Sequence, residues 1–398
     1  MVDAGTLALV AIALAASFFA AWTIGAGSTG ATPFAPAVGA NAITTMRAAL
    51  VVGLLSFAGA VLQGAAVTET VGRGLVTDIT LSPLAATVAL TIAAVYIAAG
   101  VFKGYPIATA FAITGSVVGV GLAMGGGPAW GRYAEIGLYW LLTPVFVAPA
   151  SYVTTKLLRS ERTSELYVLA ALAGVVGVVI ANMEFLLLGP PGEQASIAGS
   201  VAAGLPGGPT VGTAAVTVGI AGILALVVGR AVAYDPVAAQ RWFLLALGAL
   251  VAFTAGGGKV GLAVGPLLPL LDGLVAGDAI TPTLVFGGIG MLLGAWMVSA
   301  RMIKALSQDY SSLGPRRSVG VLIPSFVIAQ IGIFYGIPMS FNEIFISAIL
   351  GTGYAVGSEA VSHKKMAYTA LAWIGSLVFS LFVGYGVYWG ISSVLGVA

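Results

Sequence analysis

The sequence predicts an all-α protein: a polytopic transmembrane helical bundle of about 10–12 helices, built as two inverted repeats with broken or re-entrant helices. Three observations lead there. The chain is too apolar for water to be its solvent. Its apolar stretches have the length of membrane spans. Its glycine- and proline-interrupted segments recur at a nearly constant offset.

Of the 398 residues, 59% are hydrophobic and 8% charged, with a mean hydropathy of +1.06. Soluble domains carry about 25% charged residues, so lipid must surround most of this chain. The 56 glycines would weaken soluble helices but let membrane helices approach closely. A net charge of +2 spread over connections leaves no footprint for nucleic acid. Cysteine is absent, which excludes disulfides, thiolate chemistry and cysteine-based metal centres. The single histidine, His363, sits beside Lys364 and Lys365, so a histidine-rich metal site is excluded and no metal ligand is assigned. No cofactor is expected beyond a proton or sodium co-ion. An enzyme is not expected either. The glycine runs at 125–127 and 256–258 lack the Gly-Lys-Ser/Thr ending of a phosphate-binding loop, and one peripheral histidine cannot supply an intramembrane Ser/His/Asp triad.

A spanning helix needs about 20 mostly apolar residues. Candidate spans are 5–24, 48–67, 81–101, 106–125, 134–157, 166–189, 208–229, 242–257, 280–300, 318–335, 338–357 and 369–395. The first begins behind an acidic Met-Val-Asp rather than a positive n-region, so it reads as a retained membrane helix and not a signal peptide. Short cytoplasmic loops carry the basic residues. Lys156, Arg159 and Arg162 form one such cluster, Arg230 and Arg241 a second, and Arg301, Lys304, Arg316 and Arg317 a third. The 190–207 connection, with Glu193 and no Lys or Arg, belongs outside. An even number of crossings must then separate Arg241 from Arg301. The glycine-rich stretch 255–261 falls within one crossing ending near Gly277, which predicts a broken or re-entrant helix there. A multi-pass protein of the cell membrane follows.

The repeats divide the chain. Gly25-Ala26-Gly27-Ser28-Thr29-Gly30, followed by Phe34-Ala35-Pro36, matches Gly256-Gly257-Gly258-Lys259-Val260-Gly261, followed by Val264-Gly265-Pro266, at an offset of 231 that becomes 230. Gly104-Tyr105-Pro106-Ile107 matches Gly336-Ile337-Pro338-Met339 at 232, and Gly119, Gly121 and Gly125 match Gly351, Gly353 and Gly357 at the same offset. This gives a first repeat at 1–158, connecting helices and loops at 159–240, and a second repeat at 241–398. Paired interrupted segments in two halves mark secondary transporters. Non-helical backbone cannot face lipid and persists only where it lines a cavity walled by protein. There, free N–H groups and positive helix ends favour an anion.

These segments resemble the inorganic phosphate transporter (PiT) family, which carries two Gly-Ala-Asn-Asp-Val-Ala-Asn signatures and two Pro-Val-Ser-Thr-Thr-His signatures. Here Trp22-Thr23-Ile24-Gly25-Ala26 opens the first signature and Phe34-Ala35-Pro36-Ala37-Val38-Gly39 closes it. Ala42-Ile43-Thr44 and Ala58-Gly59-Ala60-Val61-Leu62 continue the pattern, and Lys103-Gly104-Tyr105-Pro106 with Gly115 and Gly119 to Ala123 marks the second signature. In the other half, Gly256 to Leu267 and Pro338 to Gly357 align without gaps. The resemblance spans 5–158 and 242–395. It implies alternating-access transport of phosphate by two repeats, and a homodimer.

The polar residues inside that frame depart from the family. The first Asn-Asp falls on Gly27-Ser28 and the second on Gly258-Lys259. The first Ser-Thr-Thr-His falls on Ala108-Thr109-Ala110-Phe111, the second on Ser340-Phe341-Asn342-Glu343. In the family these positions bind phosphate and sodium. With both aspartates replaced, a proton-coupled or uncoupled cycle is expected in place of the family's sodium coupling. Sulfate or another oxyanion stands as an alternative cargo. A second alternative is a sensor or scaffold that no longer transports.

The expected substrate-binding residues are Gly27, Ser28, Thr29, Thr32, Thr109, Gly258, Lys259, Ser340 and Asn342. Lys259 is costly in mid-membrane unless it pairs or meets water. It is expected to stand in for a bound cation and attract the anion; the plainer reading is a lysine that snorkels to an interface or braces a broken helix. Glu343, a carboxylate among apolar neighbours, can carry a proton and is expected to act with Lys259 in coupling; a fixed salt bridge between the two is the alternative. Each hydroxyl could instead bond its own helix backbone. Asn182, Glu184, Asp272 and Asp278 read as interfacial.

Overall fold

The computed structural model describes residues 4–190, 193–206, 208–272, 274–275, 278–309, 313–357 and 363–396. The first part of the chain comprises α1 (Ala4–Ile24), a π-helical turn (Gly25–Thr29), α2 (Ala35–Gly39), α3 (Thr45–Gln63), α4 (Ala65–Arg73), β1 (Val76–Thr77), α5 (Pro83–Lys103), α6 (Thr109–Ala123), β2 (Gly127–Pro128) and α7 (Trp130–Arg159). Next come α8 (Glu165–Asn182), β3 (Glu184–Phe185), β4 (Ala195–Ser196), α9 (Ile197–Ala202) and α10 (Pro209–Tyr234). The last part holds α11 (Pro236–Val264), a 3-10 turn (Gly265–Leu267), α12 (Leu268–Leu271), α13 (Ile280–Lys304), a second π turn (Ala305–Asp309), α14 (Pro315–Phe334), α15 (Phe341–Val356) and α16 (His363–Leu395). Among the described residues ten helices are long and apolar enough to cross a bilayer, while α6 and α15 are apolar but short. The chain is a polytopic, multi-pass membrane protein.

The basic clusters gather at one end. Arg316 pairs with Glu165 at 2.8 Å, and Gln240 donates to the same carboxylate. Arg241 donates to Ala42 O at 3.2 Å and Arg301 to Phe102 O at 3.0 Å. The opposite end holds the two small antiparallel ribbons, β1 with β2 and β3 with β4, and the tie between Arg73 and Asp272. The positive-inside rule puts the basic end in the cytoplasm. α11 and α13 then supply the even pair of crossings between Arg241 and Arg301.

The helices pack in reciprocal pairs. α1 lies against α5 and α13, and α11 against α14 and α3; α6 lies against α16, and α15 against α7. Shifting one set by the sequence offset produces the other. The approach is backbone-close in both: a Cβ on Gly119 would fall 2.1 Å from Leu381 O, and one on Gly351 2.0 Å from Ala148 O.

One expectation needs correction. Residues 256–261 do not break the membrane helix; α11 runs continuously from Pro236 to Val264. The glycines serve packing instead. A Cβ on Gly256 would fall 1.9 Å from Ser56 O, and one on Gly261 2.4 Å from Thr68 N, so small residues let α11 lie directly on α3 and α4. The irregular turn comes later, at Gly265–Leu267, and Gly277 lies outside the described residues. In the first half the expected irregularity is present: the Gly25–Thr29 turn is π-helical, with Gly30 N donating to Gly25 O at 2.9 Å. The clear breaks lie at 104–108 and 335–340, and they match. α5 ends at Gly104 (φ +71°) and α14 before Gly336 (φ +60°). In each, the glycine N–H bonds three residues back and the next N–H five back, at 3.1 and 2.8 Å in the first and 2.9 and 2.8 Å in the second. This paired closure with a left-handed glycine is a Schellman cap. It turns the chain back into the bundle, where α6 and α15 start.

Candidate functional site

The N-termini of α6 and α15 meet inside the protein. Asn342, in the first turn of α15, donates its amide N–H to Ile107 O at 2.6 Å and lies 3.5 Å from Gly27 O. Two residues after Ile107, the Thr109 hydroxyl accepts a hydrogen bond from Lys259 Nζ. A single locus thus joins the π turn after α1, the start of α6, the last turns of α11 and the start of α15. Each comes from a different part of the chain.

The polar side chains of this locus are buried. Ser28, Thr29, Thr32 and Lys259 are fully buried, Thr109, Ser340 and Asn342 are 1% exposed, and Glu343 is 4% exposed. Lys259 therefore does not snorkel to an interface. An ammonium has three donors, and Thr109 takes one of them. A buried charge of this kind requires compensation. Lys259 and Glu343 lie within electrostatic reach of each other, but the pair is not among the ion pairs of the described residues. The positive ends of two helices add to the lysine's field. The locus combines a cation, two helix N-termini, neutral hydroxyl and amide groups and one carboxyl, that of Glu343. It suits an anion.

Ser340 caps α15, accepting from Glu343 N at 3.4 Å. With Glu343 three residues on, the segment has the sequence of a capping box, so Glu343 is fixed in the first turn of a buried helix. Other expected ligands are partly committed elsewhere. The Thr32 hydroxyl donates to Ser28 O at 3.0 Å and the Thr29 hydroxyl to Ile24 O at 3.3 Å, the self-bonding habit of hydroxyls in membrane helices. The amide of Gly258, expected to be free, lies in the interior of continuous α11 and belongs to the helical ladder. Gly27 contributes its carbonyl to Asn342. Two buried polar atoms of the locus have no protein partner: Ser28 Oγ and Asn342 Oδ1.

Several residues around this locus were not singled out from the sequence. Trp140 on α7 donates to Pro338 O at 2.8 Å, and Trp373 on α16 to Pro106 O at 3.3 Å, so each half holds the broken connector of the other. The two tryptophans are spaced almost as the two prolines are, which is the signal that could have found them. A polar chain also enters from the outer end. Gln63 donates to Glu184 O at 2.9 Å, Gln330 donates to Gln63 Oε1 at 3.2 Å and to Thr254 Oγ1 at 2.7 Å. Gln330 and Glu184 line a cavity of about 590 Å³ together with Asn182, Ser196, Ile333 and Tyr335. Asn182 is exposed and Glu184 half-buried at this outer end. Burial pushes the Glu184 carboxyl above its usual range. Asp272 and Asp278 stay at the outer end, bound to Arg73 and to the start of α13. No group of three or more His, Cys, Asp or Glu able to hold a metal ion occurs among the described residues.

Comparison with known proteins agrees with this architecture. The sequence profile of the phosphate transporter family matches residues 24–384. A protein named as a phosphate permease in Pyrococcus furiosus is 26% identical over 400 residues, 92% of each chain. The chloroplastic inorganic phosphate transporter 2-1 of Arabidopsis thaliana is 25% identical, covering 90% of this chain and 68% of its own. A solved structure titled the sodium-dependent phosphate transporter superposes with a TM-score of 0.80 at 23% identity, over 97% of this chain and 100% of that one. By this match over most of its length, the chain belongs to the phosphate transporter family.

Proposed function

We propose that the protein is a secondary transporter of phosphate, working by alternating access at a site between two repeats, and not coupled to sodium in the family manner. The observation that carries this reading is Lys259: an ammonium fully buried in mid-bundle, held by Thr109 at the start of α6, where the family's signature has an aspartate. In this reading the sodium on which that solved transporter depends by name is replaced by a cation the chain carries itself. Phosphate as cargo is supported by the family and by the names of the relatives. The reciprocal packing of the helices and the matched caps at Gly104 and Gly336 support two structurally equivalent halves at 1–158 and 241–398, with 159–240 between them.

The outer cavity supports alternating access. Ile333 lines it, and the same side chain lies 3.3 Å from where a Cβ on Gly258 would be, with Met339 Cε at 3.4 Å. One layer of apolar side chains thus separates the cavity floor from the helical turn that carries Lys259. Glu343 is the group in the locus able to carry a proton and serve as co-ion site.

Counter-flow of labelled phosphate in proteoliposomes tests the reading, with and without sodium and a pH gradient. Exchange that persists in sodium-free buffer is the expected result. Exchange that requires sodium would overturn the tethered-cation reading, and no exchange of any oxyanion would overturn transport itself.

A further inference from the structure

A second cavity, of about 620 Å³, opens at the cytoplasmic end. Its lining joins the last residue of α7 (Arg159), the first of α8 (Glu165), the first turns of α11 at Gln240, and the start of α14 at Arg316 and Arg317. Among the described residues that line it are three guanidinium groups and one carboxylate. That carboxylate is committed: Glu165 accepts from Arg316 at 2.8 and 3.3 Å, and from Gln240. Arg159 and Arg317 lie within electrostatic reach of each other, a pair of like charges where α7 ends and α14 begins.

The positive-inside rule accounts for basic residues at this end of the bundle, and Lys156, Arg162, Arg230 and Arg301 obey it as exposed side chains. Arg317 does not follow them into solvent; it is 7% exposed. Topology does not require an arginine to be drawn out of water, and its burial is costly unless an anion compensates it. The start of α14 adds positive field, and its N-cap Gly314 offers the first-turn amides no side-chain acceptor. A guanidinium fork meets two oxygens of a phosphoryl group at once. The cavity is remote from the transport locus: along α11, Gln240 and Lys259 are about 28 Å apart.

We infer that this cavity is a cytoplasmic binding site for a phosphoryl group, held between Arg159 on α7 and Arg317 on α14, with Arg316 fixed at its rim by Glu165. The occupant ties the inner ends of the two helices together. A soluble phosphoryl anion and the headgroup of an anionic lipid share this chemistry. The site does not depend on what the buried locus carries.

The test is thermal unfolding of the full chain in a neutral detergent. Inorganic pyrophosphate serves as the soluble probe and short-chain phosphatidic acid as the headgroup probe. Potassium chloride at equal ionic strength and short-chain phosphatidylcholine are their controls. At least one probe should raise the unfolding temperature saturably beyond its control. A response to pyrophosphate alone assigns a soluble ligand, a response to the lipid alone a headgroup, and a response to both the phosphoryl group itself. In Arg159→Gln, at the exposed end of α7, the apparent affinity should fall at least about 10-fold. Arg159→Lys keeps the charge without the fork and should restore only part of it. Arg230→Gln removes a charge at the same end but outside this lining, and should leave the response unchanged. No response to either probe would overturn the site. So would a response that Arg159→Gln leaves unmoved, or that Arg230→Gln weakens equally, because the anion would then bind elsewhere or only to the general field.

Discussion

The indole N–H of Trp140 donates to the carbonyl of Pro338 at 2.8 Å, from one half of the chain to the broken connector of the other. A non-helical segment inside a membrane protein has carbonyls that no ladder satisfies, and this indole takes one of them. The Trp140 ring also stacks on Phe111 at 3.9 Å, beside the start of α6. Trp140→Phe keeps the stack and deletes the donor. A buried acceptor without a partner costs about 1–3 kcal/mol, so the variant should unfold at lower temperature in detergent and take up phosphate several-fold more slowly. Unchanged stability and uptake would mean that the connector does not depend on the indole.

Close helix approach yields a second prediction. Gly256 has no room for a methyl group, with Ser56 O at 1.9 Å from the position of a Cβ, whereas a Cβ on Gly219 in α10 would meet nothing within 4 Å. Gly256→Ala must push α11 off α3, at a cost of about 1–3 kcal/mol. Gly219→Ala should be neutral or slightly stabilising, since alanine is the better helix former. Thermal unfolding of the two variants side by side checks the contrast.

That glycine also shows what the sequence could and could not convey. Most spans were legible because hydropathy over about 20 residues is set by the bilayer and not by tertiary detail; the predicted spans 106–125 and 338–357 proved to be the shorter helices α6 and α15, too short to cross by length. The repeat was legible because glycines and prolines recur in order. Residues 256–261 misled because glycine has two uses, breaking a helix and letting another helix approach, and composition does not distinguish them. Neighbours do: Ser56 and Thr68 lie almost 200 positions away in the chain. Lys259 stood out as a charge where none should be, but its partner Thr109 could be found only through the fold. Asn342 was legible as a polar signature residue; the direction of its amide was not.

Lys259 and Glu343 make separable predictions. Lys259→Ala removes the tethered cation and should lower phosphate uptake at least about 100-fold, a charge-assisted contact being worth about 1.5–3 kcal/mol and the lost field more. Lys259→Asp should abolish uptake in sodium-free buffer. Glu343→Gln keeps size and hydrogen bonding but cannot exchange a proton. Uptake in that variant should lose its dependence on an imposed pH gradient; a gradient response equal to that of the unaltered protein would remove Glu343 from coupling.

Asp278 offers a pH dependence away from the site. Its carboxylate accepts from Thr281 Oγ1 at 2.7 Å, Ile280 N at 2.9 Å and Thr281 N at 3.3 Å, fastening the start of α13. The Thr281 hydroxyl first, and these amides with it, hold the carboxyl below its usual range. A carboxyl depressed in the folded state stabilises above its unfolded value, and that contribution is lost as pH falls through the folded one. Asp278→Ala should therefore be less stable than the parent at pH 7, by under about 1 kcal/mol because the group is largely exposed. The difference should shrink below about pH 4. A gap independent of pH would assign the effect to helix propensity alone.

Access from the outer end can be followed chemically because the chain has no cysteine, so each introduced thiol reports alone. Ser196 and Ile333 both line the outer cavity, and Ile333 is the side chain against Gly258. In a protein that alternates, a thiol at the floor is reached more readily in conformations whose outer path is open, and a ligand shifts their population only by binding the conformations unequally. Ile333→Cys should react with a membrane-impermeant thiol reagent at a rate that saturating phosphate changes several-fold. Ser196→Cys, toward the mouth, should react at a rate phosphate leaves alone. Equal phosphate sensitivity at the two positions would point to a change of the whole outer surface. Insensitivity at Ile333→Cys would mean that the path to Lys259 does not run through this cavity.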